Sequence, residues 1–369
     1  MDKKIRVLII DDSALVRQTL SSMLAACPDI EVVGTAPDPF VARSKIKQLE
    51  PDVLTLDIEM PKMDGITFLR NLMRLRPMPV VMISSLTEKG ADITLEALEL
   101  GAVDFVSKPK IDLAGTLEDY QQEIASKIRV AAAARIQPLV TGEKSAVGKV
   151  AVGGTTVVSD RYSADAVLPK SSTTRKFRTT DKIIAIGSST GGTEALSQIL
   201  PQLPPDSPGI LIAQHIPPVF SKSFADRMDA ACQMKVCEAS DGQPVTPGNI
   251  YIAPGDQHLM LHRDGARYVC RLSDGAPVNR HRPSVDVLFR SVAQNAGANA
   301  LGVVLTGMGD DGAAGLLELL DAGGATLVQD EKSSVVWGMP GAAANLGAAQ
   351  QILGLREIPD ALLSVTATL

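Results

Sequence analysis

Two adjacent serines occupy a place in this chain where covalent chemistry is possible. Ser188 and Ser189 lie in the sequence KIIAIGSSTGGTE, where the apolar residues 183–186 predict a buried parallel strand that ends at Gly187. The hydroxyl residues and glycines that follow predict the start of a helix. Free backbone N–H groups and the helix dipole favour developing negative charge at such a place. A serine there is a candidate nucleophile.

The local sequence leaves three interpretations of these serines open. The run is a nucleophile turn, a phosphate-cradling loop, or only a tight turn with a Ser or Thr cap. The usual hydrolase pattern G-x-S-x-G is not matched. A catalytic interpretation therefore requires a base and an orienting acid elsewhere in the chain.

Candidates for the base and the acid follow two other predicted strands. His215 lies in the sequence QHIP after one strand, and Asp310 and Asp311 lie in TGMGDDG after another. The carboxyl ends of parallel strands form one edge of a sheet, so Ser189, His215 and one aspartate could converge there as a triad. A lone histidine is more often structural, and the aspartate pair could equally cap a helix or bind a cation.

Polar residues follow the predicted strands of the N-terminal half in the same way. They are Asp11, Asp12, Asp57, Ser84 and Lys108. Three crowded carboxylates repel one another unless a divalent cation neutralises them, and oxygen ligands of this kind suit Mg²⁺. Asp57 could then attack a phosphoryl group, with Mg²⁺ and Lys108 offsetting the charge and Ser84 hydrogen-bonding the product. Taken singly, each residue could also be a helix cap, a loop residue or a turn residue.

The apolar pattern predicts the elements that position these N-terminal side chains. Residues 1–125 are expected to form five βα units around a parallel sheet, with strands at 5–10, 31–34, 52–56, 80–83 and 103–106. Residues 126–179 are expected to form a helical extension and then a flexible linker rich in Gly, Ser and Thr. The basic cluster of this linker is interpreted as part of a solvated tether rather than a contact for an acidic partner; it comprises Lys170, Arg175, Lys176 and Arg178.

Residues 180–369 are expected to form a second α/β unit. Its parallel strands are predicted at 183–186, 209–213 and 300–305, and shorter antiparallel pieces at 249–253 and 257–272. Pro283 suits the first position of the helix that follows it. Arg280, His281 and Arg282 before that helix could hold an acidic substrate segment or form a solvated start of the helix.

The composition narrows the class of protein. A hydrophobic content of 45% with only 3% aromatic residues is typical of an α/β protein rich in aliphatic side chains. The net charge of −6 gives no indication of nucleic-acid binding, and the four cysteines match no zinc or disulfide framework. No signal peptide and no apolar stretch of membrane-spanning length is present. We therefore expect a cytoplasmic protein without a nucleic-acid partner or direct membrane insertion.

The N-terminal half resembles the receiver domain of two-component response regulators. The motifs DD, DIEMP, SS and KP carry this resemblance across nearly all of residues 4–125. It implies a flavodoxin-like (βα)5 fold, Asp57 as the phospho-acceptor, and Mg²⁺ held by Asp12, Asp57 and the carbonyl of Glu59. It also implies a phosphodonor, a chemotaxis histidine kinase. The remaining pocket residues would be Asp11, Ser84, Lys108 and the switch aromatic Phe105.

The C-terminal half resembles the catalytic domain of the chemotaxis protein-glutamate methylesterases, the CheB family. Five blocks carry this resemblance in order, namely GSSTGGTE, QHIP, YIAPGDQHL, HRPSVDVLF and LTGMGDDG. It implies a Rossmann-like, mostly parallel α/β methylesterase domain with an antiparallel hairpin and no cofactor. Ser189 would be the nucleophile, His215 the base and Asp311 the orienting acid, and the Met308 N–H would belong to the oxyanion hole. Ser188 and Asp310 receive no role.

The resemblance implies a function in sensory adaptation. Family members hydrolyse glutamate methyl esters of methyl-accepting chemotaxis receptors and deamidate particular receptor glutamines. An unphosphorylated receiver would inhibit this activity, and phosphorylation of Asp57 would relieve the inhibition. The alternative is a receiver-controlled binding module without chemistry, and a Ser189→Ala substitution separates the two because a docking protein would keep its activity. The roles of Arg280, His281 and Arg282 stay open.

Overall fold

The computed structural model describes residues 3–60, 63–84, 87–108, 117–134, 162–170 and 181–368. The chain divides into two compact units, Met1–Gly154 and Thr155–Leu369, and each is described by itself. Most of the predicted flexible linker, including Arg175, Lys176 and Arg178, lies outside the described residues. The predicted boundaries at 125 and 180 stay predictions.

The N-terminal unit is a five-stranded sheet in which every strand pair is parallel, with the order β2-β1-β3-β4-β5. Its strands are β1 (Ile5–Ile10), β2 (Ile30–Ala36), β3 (Val53–Asp57), β4 (Val80–Ser84) and β5 (Asp104–Ser107). Its helices are α1 (Ala14–Ala25), α2 (Pro39–Leu49), α3 (Gly65–Leu75), α4 (Glu88–Glu99) and α5 (Leu117–Ala133). The predicted (βα)5 fold is confirmed.

Local sequence explains where these elements begin and end. Ser13, Asp38, Asp64 and Thr87 each accept a hydrogen bond from a backbone N–H in the first turn of the helix that follows, which satisfies donors that the helix itself leaves unpaired. Strands β3 and β4 are buried along their whole length, as expected where helices cover both faces of a parallel sheet. The polar residues at their ends are therefore held on a rigid frame.

The C-terminal unit contains a seven-stranded parallel sheet and a small antiparallel sheet. The strands are β6 (Ile183–Ser188), β7 (Gly209–Gln214), β8 (Lys235–Glu238), β9 (Pro244–Val245), β10 (Asn249–Ile252), β11 (His258–Asp264), β12 (Arg267–Ser273), β13 (Ala300–Val304), β14 (Ala325–Gln329) and β15 (Gln351–Leu353). The helices are α6 (Gly192–Ile199), α7 (Pro218–Ala231), α8 (Val285–Asn295), α9 (Ala313–Asp321), α10 (Met339–Asn345) and α11 (Ile358–Thr368). The large sheet has the order β15-β14-β13-β6-β7-β10-β8, and the small one β11-β12-β9.

This topology confirms a mostly parallel α/β unit with a hairpin and corrects one predicted strand. Strands β11 and β12 form the expected antiparallel hairpin. Residues 249–253 were predicted to be antiparallel, but β10 pairs in parallel with both β7 and β8. The turn signals beside β10 mark its ends, and they do not encode the direction of its partners.

Two further local predictions were wrong, one at the end of β6 and one at the start of α8. Gly187 does not end strand β6, which continues to Ser188. Glycine is needed there for space, because an added Cβ would lie 2.1 Å from Cγ1 of Val285 at the start of α8. Pro283 is not the first helical residue of α8, because Ser284 is the N-cap and Pro283 precedes it.

Part of the predicted linker packs on the C-terminal unit. A short 3-10 turn, Ala164–Ala166, places Ala164 in a buried cluster with Val278 and Val287. The buried Arg290 of α8 donates hydrogen bonds to the Asp165 carboxylate (2.9 Å) and the Leu168 carbonyl (3.0 Å). In the same segment Lys170, expected to belong to a solvated tether, lies 3.3 Å from the Glu318 carboxylate. Residues 162–170 are thus part of this unit's structure.

None of the helices in the described part of the chain combines the length and apolar character that crossing a membrane requires.

The contact at Gly187 yields a stability prediction. We expect Gly187→Ala to lower the free energy of unfolding of the C-terminal unit by about 1–3 kcal/mol, because the new methyl group overlaps Val285. Urea unfolding followed by the fluorescence of Trp337, the single tryptophan of the chain, measures this unit. Gly354→Ala is the control, since the nearest atom there is a flexible Glu357 oxygen at 3.0 Å. Equal stability of the two variants would contradict the prediction.

Candidate active site

Ser189 is held between a strand end and a helix start. It is the first residue after β6 and is half-buried. Its N–H donates to the Thr306 carbonyl (3.1 Å), and its carbonyl accepts from the Gly192 N–H (2.7 Å). Gly191 precedes α6 with φ of 76°, a left-handed conformation that glycine adopts without steric cost. The turn therefore places Ser189 beside the positive end of a helix.

The two serines have different surroundings. The side chain of Ser188 is fully buried, and its hydroxyl donates to Oε1 of Gln214 at 2.6 Å. Strand alternation turns neighbouring side chains in opposite directions, which accords with the half-exposed position of Ser189. The Ser188 hydroxyl is therefore a hydrogen-bonded part of the core. The Ser189 hydroxyl is the one that a substrate could reach.

The parallel register of β6 and β7 places the backbone of His215 beside that of Ser189. Ser188 is opposite Gln214 in this pair, and the His215 N–H donates to the Ser188 carbonyl at 3.1 Å. The Gln214 amide also donates to the carbonyls of Ser189 (3.0 Å) and His215 (3.1 Å). This buried glutamine was not among the site residues predicted from the sequence, although its place in the QHIP block was a signal.

His215 and Asp311 form a buried pair. Nε2 of His215 lies 2.8 Å from Oδ2 of Asp311, with both side chains almost fully buried. Burial raises the pKa of Asp311, but the hydrogen bond and charge of His215 and the charge of His281 outweigh it, so the pKa lies below its usual range. An ionised carboxylate only accepts, so Nε2 carries the proton. Nδ1 is the other ring nitrogen of His215; it is buried and has no hydrogen-bond partner among the described residues, so it is the atom left to accept a proton.

Asp311 is fixed by a reciprocal arrangement, called here the carboxylate exchange, in which two aspartates each accept hydrogen bonds from the start of the other residue's helix. It precedes α9, yet it accepts from the N–H groups of Val285 (2.7 Å) and Asp286 (3.2 Å) in the first turn of α8 and from the Ser284 hydroxyl (2.9 Å). In return, Asp286 of α8 accepts from the N–H groups of Gly312 (3.0 Å) and Gly315 (2.7 Å) at the start of α9. Each carboxylate thus caps the other residue's helix.

The two carboxylates differ in their ionisation. Burial raises the pKa of Asp286, and the nearby charge of Asp311 raises it further. Like charges close together in a buried site titrate far apart. Asp311 is therefore the carboxylate that stays ionised beside His215. The neighbouring Asp310 is exposed, so the structure separates the two candidates that the DD motif offered.

The block before α8 has distinct contacts at each position. The ring of His281 stacks on that of His215, with centroids 3.7 Å apart and planes 14° apart. Arg282 pairs with Asp256 at 2.6 Å and donates to the carbonyls of Asp274 and Gly275, so it fastens the loop. These contacts differ from the solvated helix start that the sequence allowed, and substrate binding by Arg282 stays a prediction. Arg280 is exposed.

The loop after β13 approaches Ser189 closely. A Cβ added at Gly307 would lie 2.8 Å from Cβ of Ser189, so only glycine leaves room for this approach. The Gly307 carbonyl accepts from the N–H groups of Gly338 (3.0 Å) and Met339 (2.8 Å), which fixes the loop. Met308 follows directly, and its side chain is 39% exposed. Its backbone is therefore near the candidate nucleophile.

The N-terminal unit brings its acidic residues together as predicted. Oxygens of Asp11, Asp12 and Asp57 lie within 4.8 Å of one another, and Lys108 Nζ lies 2.8 Å from Oδ2 of Asp57. Burial raises the pKa of Asp57 to about 6 despite the Lys108 hydrogen bond, and the Asp11 charge contributes. Oδ2 of Asp11 is buried without a hydrogen-bond partner among the described residues. Such a donor set fits a hard divalent cation.

Ser84 and Phe105, which were predicted to belong to the same pocket, are both buried. Ser84 ends β4, and its hydroxyl accepts from the Thr94 hydroxyl at 2.7 Å. Phe105 in β5 is 6% exposed, and Nζ of Lys127 lies 5.1 Å from its ring centroid and bonds its carbonyl. The described structure thus places both at the carboxyl half of the sheet.

The two units together define a response regulator whose output domain carries a Ser, a His and an Asp at the carboxyl edge of a parallel sheet. Residues 184–362 match the CheB methylesterase family, and residues 7–116 match the response regulator receiver domain. The chain belongs to the CheB methylesterase family, and the resemblance stated from sequence is confirmed.

Two curated relatives and one solved structure agree with this membership. A protein-glutamate methylesterase/protein-glutamine glutaminase 1 of Xanthomonas campestris pv. campestris is 57% identical over 367 residues, covering 100% of this chain and 99% of its own. A protein-glutamate methylesterase/protein-glutamine glutaminase of Hydrogenovibrio crunogenus is 56% identical, covering 98% of this chain and 99% of its own. The crystal structure of the Thermotoga maritima CheB methylesterase catalytic domain is 39% identical with a TM-score of 0.50, covering 50% of this chain and 99% of that one.

The different surroundings of the two serines can be tested by stability. We expect Ser188→Ala to lower the free energy of unfolding by about 1–3 kcal/mol, because Oε1 of the buried Gln214 loses its donor. Ser189→Ala, the matched substitution at a half-exposed site, should change it by less than about 0.5 kcal/mol. Urea unfolding followed by Trp337 fluorescence measures both. The opposite order of the two losses would show that the hydroxyl environments are misassigned.

Proposed function

We propose that this chain is a phosphorylation-controlled hydrolase that removes methyl groups from glutamate esters, and ammonia from particular glutamines, on methyl-accepting chemotaxis receptors. The observation that carries the proposal is the buried His215–Asp311 pair at 2.8 Å, next to the half-exposed Ser189 and with Nδ1 of His215 unpartnered among the described residues. The names of the curated relatives support the same two reactions.

The proposed chemistry is acyl transfer in two steps. Nδ1 of His215 takes the proton of Ser189 while its oxygen attacks the ester carbonyl. Asp311 stabilises the imidazolium, because its low pKa keeps it ionised. Backbone N–H groups that include Met308 hold the oxyanion. Methanol, or ammonia from a glutamine, leaves with the proton from His215, and water then frees the glutamate by the reverse sequence.

The proposed control lies in the N-terminal unit. Asp57 would accept a phosphoryl group from a chemotaxis histidine kinase, with its carboxylate attacking phosphorus as the bond to the kinase histidine breaks. Asp12, Asp57 and the Glu59 carbonyl would hold Mg²⁺, which offsets the phosphoryl charge when bound. Lys108, 2.8 Å from Asp57, would pair with the transferred group. Asp11, Ser84 and Phe105 complete the pocket.

We further propose that the protein acts in the cytoplasm on receptor segments exposed there. The alternative, a docking module without chemistry, has less support because a pure docking surface does not require a buried His–Asp pair beside a serine.

Methanol release tests the hydrolase directly. Receptor-bearing membranes with labelled methyl esters are expected to release methanol with the wild type, and Ser189→Ala should reduce release to background because the nucleophile is lost. Ser188→Ala is the control and should retain release, because its hydroxyl bonds Gln214 in the core. Equal release from wild type and Ser189→Ala would rule out the proposed nucleophile, and receptor binding without any release would favour the docking alternative.

Control by phosphorylation is tested in the same assay. A small phosphodonor with Mg²⁺ should raise methanol release by the wild type, and Asp57→Asn or removal of Mg²⁺ with EDTA should abolish this rise. Asp52→Asn is the matched control, since Asp52 lies at the opposite end of β3 and bonds the Arg6 N–H. If Asp57→Asn responded to the phosphodonor as the wild type does, Asp57 would not be the acceptor.

A further inference from the structure

An asparagine outside the Ser–His–Asp set connects the two buried carboxylates. Nδ2 of Asn279 lies 2.9 Å from Oδ1 of Asp311 and 2.7 Å from Oδ2 of Asp286. Carboxylate oxygens accept, so both hydrogens of this amide nitrogen are donated to the two acids. Oδ1 of Asp311 accepts from Asn279 as well as from the Ser284 hydroxyl and the Asp286 N–H. Nε2 of His215 bonds the other oxygen, Oδ2.

The backbone around Asn279 is fixed in an uncommon conformation. Its φ is 51°, in the left-handed region that asparagine tolerates better than most residues other than glycine. Its N–H donates to the Tyr162 carbonyl at 3.0 Å. The preceding Val278 is bridged to Tyr162 and to His281. The amide is therefore aimed by a loop fastened on one side to residues 162–170 and on the other to the histidine that stacks on His215.

The charges around Asp311 explain why an amide is needed there. Besides His215, the charge of His281 lowers the pKa of Asp311. The charge of Asp311 in turn raises the pKa of Asp286 and opposes the lowering of the pKa of His258. Two carboxylates in one buried site repel each other unless donors lie between them. An amide nitrogen supplies two donors and no charge, so it lowers this repulsion without competing for His215.

We propose that Asn279 is a positioning residue of the hydrolase site, which keeps the Asp311 carboxylate oriented toward His215 by donating to Asp311 and Asp286 together. The inference rests on the function proposed above, and it adds a residue that acts through Asp311 without contacting the substrate. The Ser284 hydroxyl and the N–H groups of Val285 and Asp286 still bond Asp311 when the amide is removed. The two acids then face each other without the donor that joins them, so the Asp311 carboxylate shifts and the imidazole orientation that it sets is less well defined.

Two substitutions remove the donor in different ways. Asn279→Gly deletes the amide and keeps the left-handed backbone available. Asn279→Asp keeps the size of the side chain and replaces the donor with an acceptor. Asn299→Ala is the control, because Asn299 is a buried asparagine whose amide bonds the Ala296 carbonyl beyond the far end of α8.

The first measurement is steady-state methanol release from methyl-labelled receptor membranes by the full-length chain. Both Asn279 variants should lose about tenfold to hundredfold in kcat with KM unchanged, because misorientation affects the chemical step and not substrate binding. Asn299→Ala should keep the wild-type kcat. Wild-type kcat in both Asn279 variants, or an equal loss in Asn299→Ala, would overturn the proposal.

The second measurement needs no substrate. The proton on Nε2 of His215, hydrogen-bonded to Asp311, should give a downfield imidazole resonance in the wild type that is assigned by its absence in a His215→Gln variant. The Asn279 variants should lose or shift it, and Asn299→Ala should retain it. An unchanged resonance in Asn279→Gly would overturn the positioning role. If Asn279→Asp failed to fold, Asn279→Gly would decide the question.

The two measurements separate this inference from the proposed function. Methanol release that does not depend on Ser189 would count against the hydrolase, while the resonance would still show whether Asn279 orients the His215–Asp311 pair. Ser189-dependent release with an unchanged resonance in both Asn279 variants would leave the hydrolase standing and reject the role of Asn279.

Discussion

The burial of the Asp311 carboxylate is the constraint on which the catalytic unit depends. A charge removed from water is stable only when donors and opposite charge surround it. The structure meets this demand by exchanging carboxylates between the starts of α8 and α9, with Asp311 capping one helix and Asp286 the other. The same contacts position the carboxylate that bonds His215. The packing of the two helices therefore also determines the geometry of the site.

Close packing around this exchange explains several small residues. An added Cβ at Gly187 would meet Val285, and one at Gly315 would lie 2.8 Å from the Asp286 carbonyl. Gly307 lets the loop after β13 approach Ser189. These positions need glycine for space at the sheet edge, where two helix starts, a loop and the candidate nucleophile converge. Residues 162–170 add to this packing through Arg290, which α8 buries against them.

The pKa values of the buried carboxylates of Asp311 and Asp57 shift in opposite directions. In the C-terminal unit donors surround Asp311, and its pKa is lowered. In the N-terminal unit burial raises the pKa of Asp57 to about 6 despite Lys108, and Asp11 keeps a buried oxygen without a hydrogen-bond partner among the described residues. Side chains and backbone N–H groups alone supply the donors and the positive charge that the Asp311 carboxylate needs. The cluster around Asp57 has the deficit of positive charge that a divalent cation relieves.

The sequence by itself determined the class of fold, the edge of each sheet at which the polar residues gather, and the family, because strand periodicity and short motifs are local properties of the chain. The residue pattern alone did not distinguish Asp310 from Asp311, and the choice of Asp311 came from the family resemblance. The sequence also did not assign Ser188 to the core or identify Gln214 and Asn279, since these depend on which groups meet after folding. It also wrongly predicted an antiparallel pairing for β10, because the residues of a four-residue strand do not determine the direction of the neighbouring strand. Tertiary structure decided these points, because hydrogen bonds such as that from Asn279 to Asp311 join residues far apart in sequence, and only the exchange between α8 and α9 brings them together.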